Sequence, residues 1–278
     1  MSNLNGKIAL VTGAAGALGR PISMELARQG ARVVLGVRER SQGEALAKDI
    51  SATTGNAAVD VLVLDLASCA SIRAAVKEYL GKHDRLHVLV NNAAAFSGTR
   101  RTTKDGFELM LGVNHLGPFL LTNLLLDTLK ASAPARIVNM TMENSKPMDF
   151  EDLQSEQKFV SMDAFSRSKG AGHYVTVELA KRLEGTGVTV HAVNPTMTAT
   201  TLIAQAPLPI RVAFKLLSGK PEKNAQTAIA AAAAPEYQAS TGKWLEKGEE
   251  KPWRPEVLDA ATRVKVWEVS AKLVGLAR

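Results

Sequence analysis

Thr12-Gly13-Ala14-Ala15-Gly16-Ala17-Leu18-Gly19 follows the apolar run Lys7-Ile8-Ala9-Leu10-Val11 and leads into Pro21 to Gly30, a segment with helical spacing. Glycines between a strand and a helix permit a tight turn and close backbone approach. The helix start behind them offers free N–H groups and a positive dipole to a pyrophosphate. With the strand before it and the helix after it, this loop predicts a dinucleotide-binding βα unit. Its candidate cofactor residues are Gly13, Ala15, Gly16, Ala17, Leu18 and Gly19.

The same alternation continues outward. Short β-branched runs recur at Ile8 to Val11, Arg32 to Leu35, Val59 to Leu64, Leu86 to Val90, Arg136 to Met140 and Val188 to Val193. Helical spacing fills Ser41 to Ile50, Ser71 to Leu80, Leu116 to Leu129 and Phe165 to Leu183. Apolar strands alternating with helices indicate a parallel sheet covered on both faces. There is no repeat and no linker, so the expected fold is α/β: a single-domain Rossmann fold over 1–278, a doubly wound parallel sheet with helices on both faces.

The later chain is less regular. Residues 201–223 hold an apolar stretch broken by Pro207 and Pro209, readable as a flap over a pocket or as a surface helix. Ala228 to Ala234, ended by Pro235, reads as a packed helix. Trp244, Trp253 and Trp267 fall in a C-terminal extension, 244–278, where structural packing is expected.

The 278 residues, 46% of them hydrophobic, suffice for one large core. The first strand-like run lies so near Met1 that no signal peptide is expected, and no apolar segment is expected to span a bilayer. A single Cys69 excludes internal disulfides and points to a reducing, cytoplasmic setting; no metal site is expected. The net charge of +7 arises from scattered residues, which suits an anionic small molecule better than nucleic acid. At the tip of the second strand, Arg38 favours the 2′-phosphate of NADP(H), with Arg20 as a possible helper, while Glu39 could instead take a ribose hydroxyl.

Together with "LDLAS" (64–68), "NNAA" (91–94), "VNHLGPFLLT" (113–122), "RIVN" (136–139), "SRSK" (166–169) and "VNPTMTAT" (193–200), these features resemble the short-chain dehydrogenase/reductase family, in particular its retinol-dehydrogenase-like branch. The resemblance covers almost the whole chain. It implies that Asp65 and Leu66 border the adenine, that Asn91 to Ala93 border the adenosine ribose, and that Asn114 holds a water beside the catalytic lysine. It further implies that Lys169 grips the nicotinamide ribose, with Pro195 and Thr200 near the carboxamide or pyrophosphate, and that relatives form homodimers or homotetramers through the two long helices. From the residues alone, the competing but less favoured readings are a buried structural amide for Asn114 and a solvated helix lysine for Lys169.

Two positions depart from that pattern. By the resemblance, the family's substrate-binding hydroxyl falls at Met142 and its acidic tyrosine at Phe165. Thr141 stands one step before Met142, where strand alternation sends it to the opposite face. A phenyl ring supplies no proton and a thioether is only a weak acceptor. A positioned acid is worth roughly 10²–10⁴-fold, so ordinary carbonyl reduction is not expected. Three functions in small-molecule metabolism stay open: an NADP(H)-dependent reductase of an iminium or activated double bond, with Asp163 or Glu143 stabilising the cation; a redox-neutral cyclase or isomerase of a hydrophobic metabolite; or a non-catalytic NADP(H) sensor or scaffold. Tyr174 and His173 lie about 180° and 80° around an ideal helix from Phe165, and so make poor substitutes for it.

Overall fold

The computed structural model describes residues 3–142, 148–195, 198, 212 and 218–276. Eight strands form one sheet in the order β3-β2-β1-β4-β5-β6-β7-β8. β1 (Ile8–Thr12) pairs in parallel with both β2 (Arg32–Val37) and β4 (Val88–Asn91), so the strand order reverses across β1 and opens a crevice at the strands' C-terminal ends. β3 (Val59–Val63) lies outside β2, and β5 (Ala135–Met140), β6 (Val188–Asn194) and β7 (Lys243–Glu246) continue beyond β4, all in parallel. Only β8 (Glu249–Lys251) runs antiparallel, as a hairpin on β7. β7 and β8 lack the β-branched apolar run that marked the six earlier strands, β7 reading KWLE and β8 EEK, which is why the expectation of a parallel sheet omits them.

Alternating strand residues feed two cores. Leu10, Leu89 and Ile137 face α3 (Cys69–Lys82), α5 (Gly117–Ala131) and α6 (Ser161–Arg182). Ala9, Val11, Val88, Val90 and Val138 face α1 (Gly19–Arg28), α2 (Arg40–Thr54) and α7 (Gln226–Ala233), the alanine helix expected from composition. A single turn, α4 (Leu109–Leu111), runs through a π-helical turn (Gly112–Leu116) into α5. Counted together, Leu109–Ala131 is long and apolar enough to cross a membrane, contrary to the sequence-based expectation; its most apolar window is 67% buried in the fold, as suits a core helix.

The C-terminal helix α8 (Ala260–Leu273) packs on α5 and α6. The Phe119 and Trp267 rings meet edge to face at 4.8 Å, and the Arg182 guanidinium lies 4.3 Å over Trp267. Buried Glu178 pairs with Arg182 at 2.9 Å and with Arg263 at 3.7 Å. Part of the helical face that the family resemblance offers to a second copy is thus covered by the chain itself. Among the described residues no cluster of His, Cys, Asp and Glu could hold a metal.

Candidate functional site

The glycine loop is built by backbone packing. Gly13 has φ of +61°, a conformation that L side chains rarely adopt, and a Cβ there would approach the Ala93 Cα to 2.9 Å. A Cβ on Gly19 would reach the Gly13 carbonyl oxygen at 2.2 Å. The loop is tied to the end of β4 by Thr12: its Oγ1 accepts from the Asn92 and Ala93 N–H groups at 3.0 and 3.1 Å, while Asn92 Nδ2 donates to the Thr12 carbonyl at 2.9 Å. α1 begins at Gly19 with no side-chain cap and no acidic residue in its first turn, which leaves its N-terminus suited to an external anion. This cradle fits a pyrophosphate.

Around it, Arg38 stands exposed just past β2, and Glu39 is the residue before α2. Arg20 pairs with Asp49 at 2.7 Å, so its guanidinium is directed to α2. Asp65 Oδ1 accepts from the Ala67 N–H at 3.0 Å, and Leu66 is buried in the core. Asn91 Nδ2 donates to Thr122 and Asn139 at 3.0 and 2.9 Å, which ties the end of β4 to α5 and β5, while Ala93 packs against the glycine loop. Pro195 follows β6 and is half-buried. Thr200, Glu143 and most of the 201–223 segment lie outside the described residues.

Lys169 is the buried cation of the site. Its ammonium donates to the Met140 carbonyl at the end of β5, and burial alone lowers its pKa to about 8. Asn114 sits in the π-helical turn, where the Ala95 N–H donates to its Oδ1 at 2.7 Å and its Nδ2 donates to the Ala95 carbonyl and to Ser168 Oγ, both at 3.0 Å. Ser168 in turn donates to the Phe165 carbonyl at 2.8 Å. The carboxamide therefore ties Ala95 to α6. A small recess, more apolar than polar in its lining, lies between Lys169, Asn91, Asn114, Asn139 and Thr141 and the side chains of Phe119, Val175 and Leu179.

Phe165 lies one turn before Lys169 on α6 and meets Phe96 edge to face at 5.5 Å, in an apolar cluster with Met110 and Ala164. Sequence reasoning missed Phe96; its place two positions past the "NNAA" stretch was the available signal. Asp163 lies in the first turn of α6, about 200° around the helix from Phe165, on a different face. Met142 is half-buried, two residues past β5. Thr141 is buried and bonded to His173 at 3.1 Å on the α6 side. His173 lies four residues past Lys169, on the same face of α6.

The family model described as short chain dehydrogenase matches residues 7–208. Retinol dehydrogenase 14 of Mus musculus is 41% identical over 291 residues, spanning 98% of this chain and 87% of that protein. Among solved structures, the Pseudomonas aeruginosa RhlG/NADP active-site complex is similar with a TM-score of 0.72 and 26% identity, covering 94% of this chain and 98% of that one. The 3-ketoacyl-(acyl-carrier-protein) reductase of Brucella melitensis, complexed with NADH, has a TM-score of 0.70 and 25% identity, over 88% of this chain and 97% of that one.

Proposed function

We propose, on the premise that the chain belongs to the short-chain dehydrogenase family, that it is an NADP(H)-dependent oxidoreductase of an apolar small molecule whose acceptor needs no proton from the protein. The carrying observation is the contrast along α6: Lys169 is seated on the Met140 carbonyl, while one turn earlier Phe165 packs on Phe96. Met142 and Phe165 are taken to stand where the family keeps its substrate-directed hydroxyls.

The glycine loop and the start of α1 would hold the pyrophosphate, Arg38 a 2′-phosphate, and Lys169 the nicotinamide ribose. When bound, the nicotinamide supplies hydride. The Phe96–Phe165 pair excludes water and favours a hydrophobic substrate, in keeping with the name of the Mus musculus relative. Neither Phe165 nor Met142 can protonate an oxygen, so an alkoxide formed there would have no donor from that pair. An iminium accepts hydride with no proton in that step, and an activated double bond can defer its proton to solvent. Either acceptor suits a wall of this kind.

The test uses NADPH deuterated stereospecifically at the nicotinamide C4. Label transfer to an iminium or enone, with slow or absent ketone reduction, is the expected result. Product without label would overturn hydride transfer and indicate a redox-neutral cyclase or isomerase, and tight NADPH binding with no turnover would indicate a sensor. The paired change Phe165→Tyr with Met142→Ser should bring in ketone reduction, by roughly 10²-fold or more.

A further inference from the structure

One peptide unit, between Met140 and Thr141, is gripped from three sides. Its N–H donates to the Val193 carbonyl of β6 at 2.8 Å. Its carbonyl accepts from the Lys169 ammonium, and the side chain that follows it, Thr141, is hydrogen-bonded through Oγ1 to His173 Nε2 at 3.1 Å. Lys169 and His173 are four residues apart on α6 and therefore share a face. The helix closes on the strand end like two prongs.

The second prong is braced from behind. The His173 ring lies 5.2 Å from Trp244, on β7, and 5.2 Å from Trp253, in the chain leaving β8. The two indoles stack at 6.0 Å, and Trp253 Nε1 donates to the Gly242 carbonyl at 2.8 Å. Gly172 lets the elements approach, since a Cβ there would come within 2.9 Å of Thr141 Cγ2. The charged and titratable groups around this grip are Lys169, His173 and, past β8, Arg254. Burial, then Arg254 and Lys169, lower the His173 pKa to about 3, so the ring is neutral and available for hydrogen bonding without a charge of its own.

We propose that His173, braced by Trp244 and Trp253, is a positioning residue for Lys169, acting through Thr141 to hold the Met140 carbonyl in line with the ammonium. Its consequence for cofactor chemistry rests on the proposed role of Lys169; the grip itself can be tested without cofactor. The full chain is labelled with ε-13C-lysine, and the Lys169 signal is assigned by its loss in Lys169→Met. The wild-type signal should titrate near the lowered value of about 8. Thr141→Val removes the hydroxyl at nearly constant volume. It should lower the midpoint by about one pH unit, because the buried ammonium loses its aligned acceptor.

His173→Phe keeps a ring against both indoles and should give the same displacement, with no further change in the double variant. An unchanged or raised midpoint in Thr141→Val overturns the proposal, as do additive displacements in the double variant. If His173→Phe does not fold, Thr141→Val decides alone. NADPH binding measured on the same wild-type sample reads the functional proposal separately: its absence would remove that reading and leave the titration of the grip in force.

Discussion

The two ends of the crevice are made of different material. At the glycine loop the shape comes from backbone: Gly13, Gly19, Ala93 and Thr12 pack so closely that single Cβ atoms do not fit. At the α6 end the shape comes from side chains: Lys169 on a carbonyl, Asn114 between Ala95 and Ser168, Phe165 against Phe96. A backbone-built site admits few substitutions and keeps one ligand. A side-chain-built site can exchange its chemistry residue by residue while the fold persists.

The sharpest way to break that contrast is at Gly19. Gly19→Ala places a methyl 2.2 Å from the Gly13 oxygen and 2.8 Å from the Ala14 Cα, both backbone, so the turn must open. A loss of roughly 3 kcal/mol or more in urea unfolding is expected, with NADPH binding abolished. A variant as stable as wild type would show that the loop is as forgiving as the other end.

Acid should loosen the side-chain-built half next. His115, bonded to Ser270 at 2.7 Å under α8, has its pKa lowered by burial to about 4, and that of His173 is lowered to about 3, from an ordinary 6.5. Both folded values lie below the unfolded one, so the unfolded chain binds the extra protons. The histidines cost nothing well above pH 6.5, and stability falls as pH drops through it. At pH 5 each should withdraw about 2 kcal/mol relative to neutral pH. Urea unfolding at pH 7 and pH 5 measures this, and His115→Gln should shrink the difference by about 2 kcal/mol; equal stabilities at the two pH values would contradict it.

What the sequence made legible follows the same division. The glycine loop, the six β-branched strands and the helices between them have local patterning or obligatory glycines, and all of them occur within a few residues of where the pattern places them. The β7–β8 hairpin and α8 carry no such mark: the two strands read KWLE and EEK, without a β-branched apolar run, and α8 owes its place to Trp267, Ser270 and Arg263 meeting distant partners. The Thr141–His173 bond was hidden for the same reason, because it joins residues 32 apart in the chain. The bonds from the Asn91 amide to Thr122 and Asn139 were hidden likewise, since they join residues 31 and 48 apart.

Lys169 sharpens the comparison from the opposite direction, since its cost is folding free energy given up for a site. Its folded pKa of about 8 lies below the ordinary 10.5, so the charged form is disfavoured in the folded chain. The penalty is present in full below pH 8 and fades as pH rises toward 10.5. It amounts to about 3 kcal/mol. Lys169→Met removes it but strips the Met140 carbonyl of its donor, at about 1 kcal/mol. A net gain of about 2 kcal/mol at pH 7, with weakened NADPH binding, is expected in urea unfolding. A destabilised variant would place Lys169 among the structural residues.

The smallest effect should come from Phe165, and its smallness is informative. The ring is half-buried and touches Phe96 by its edge, so Phe165→Tyr adds one hydroxyl at a site already open on one side. A change in stability within about 0.5 kcal/mol is expected, with NADPH affinity unaltered. A loss above about 2 kcal/mol would mean that the hydroxyl is forced into a closed apolar cluster. In that case the Phe96–Phe165 wall would belong to the core rather than to a substrate pocket. If the substitution is silent, stability never held this position to phenylalanine, and the choice of an apolar ring one turn from a buried lysine is a choice about chemistry.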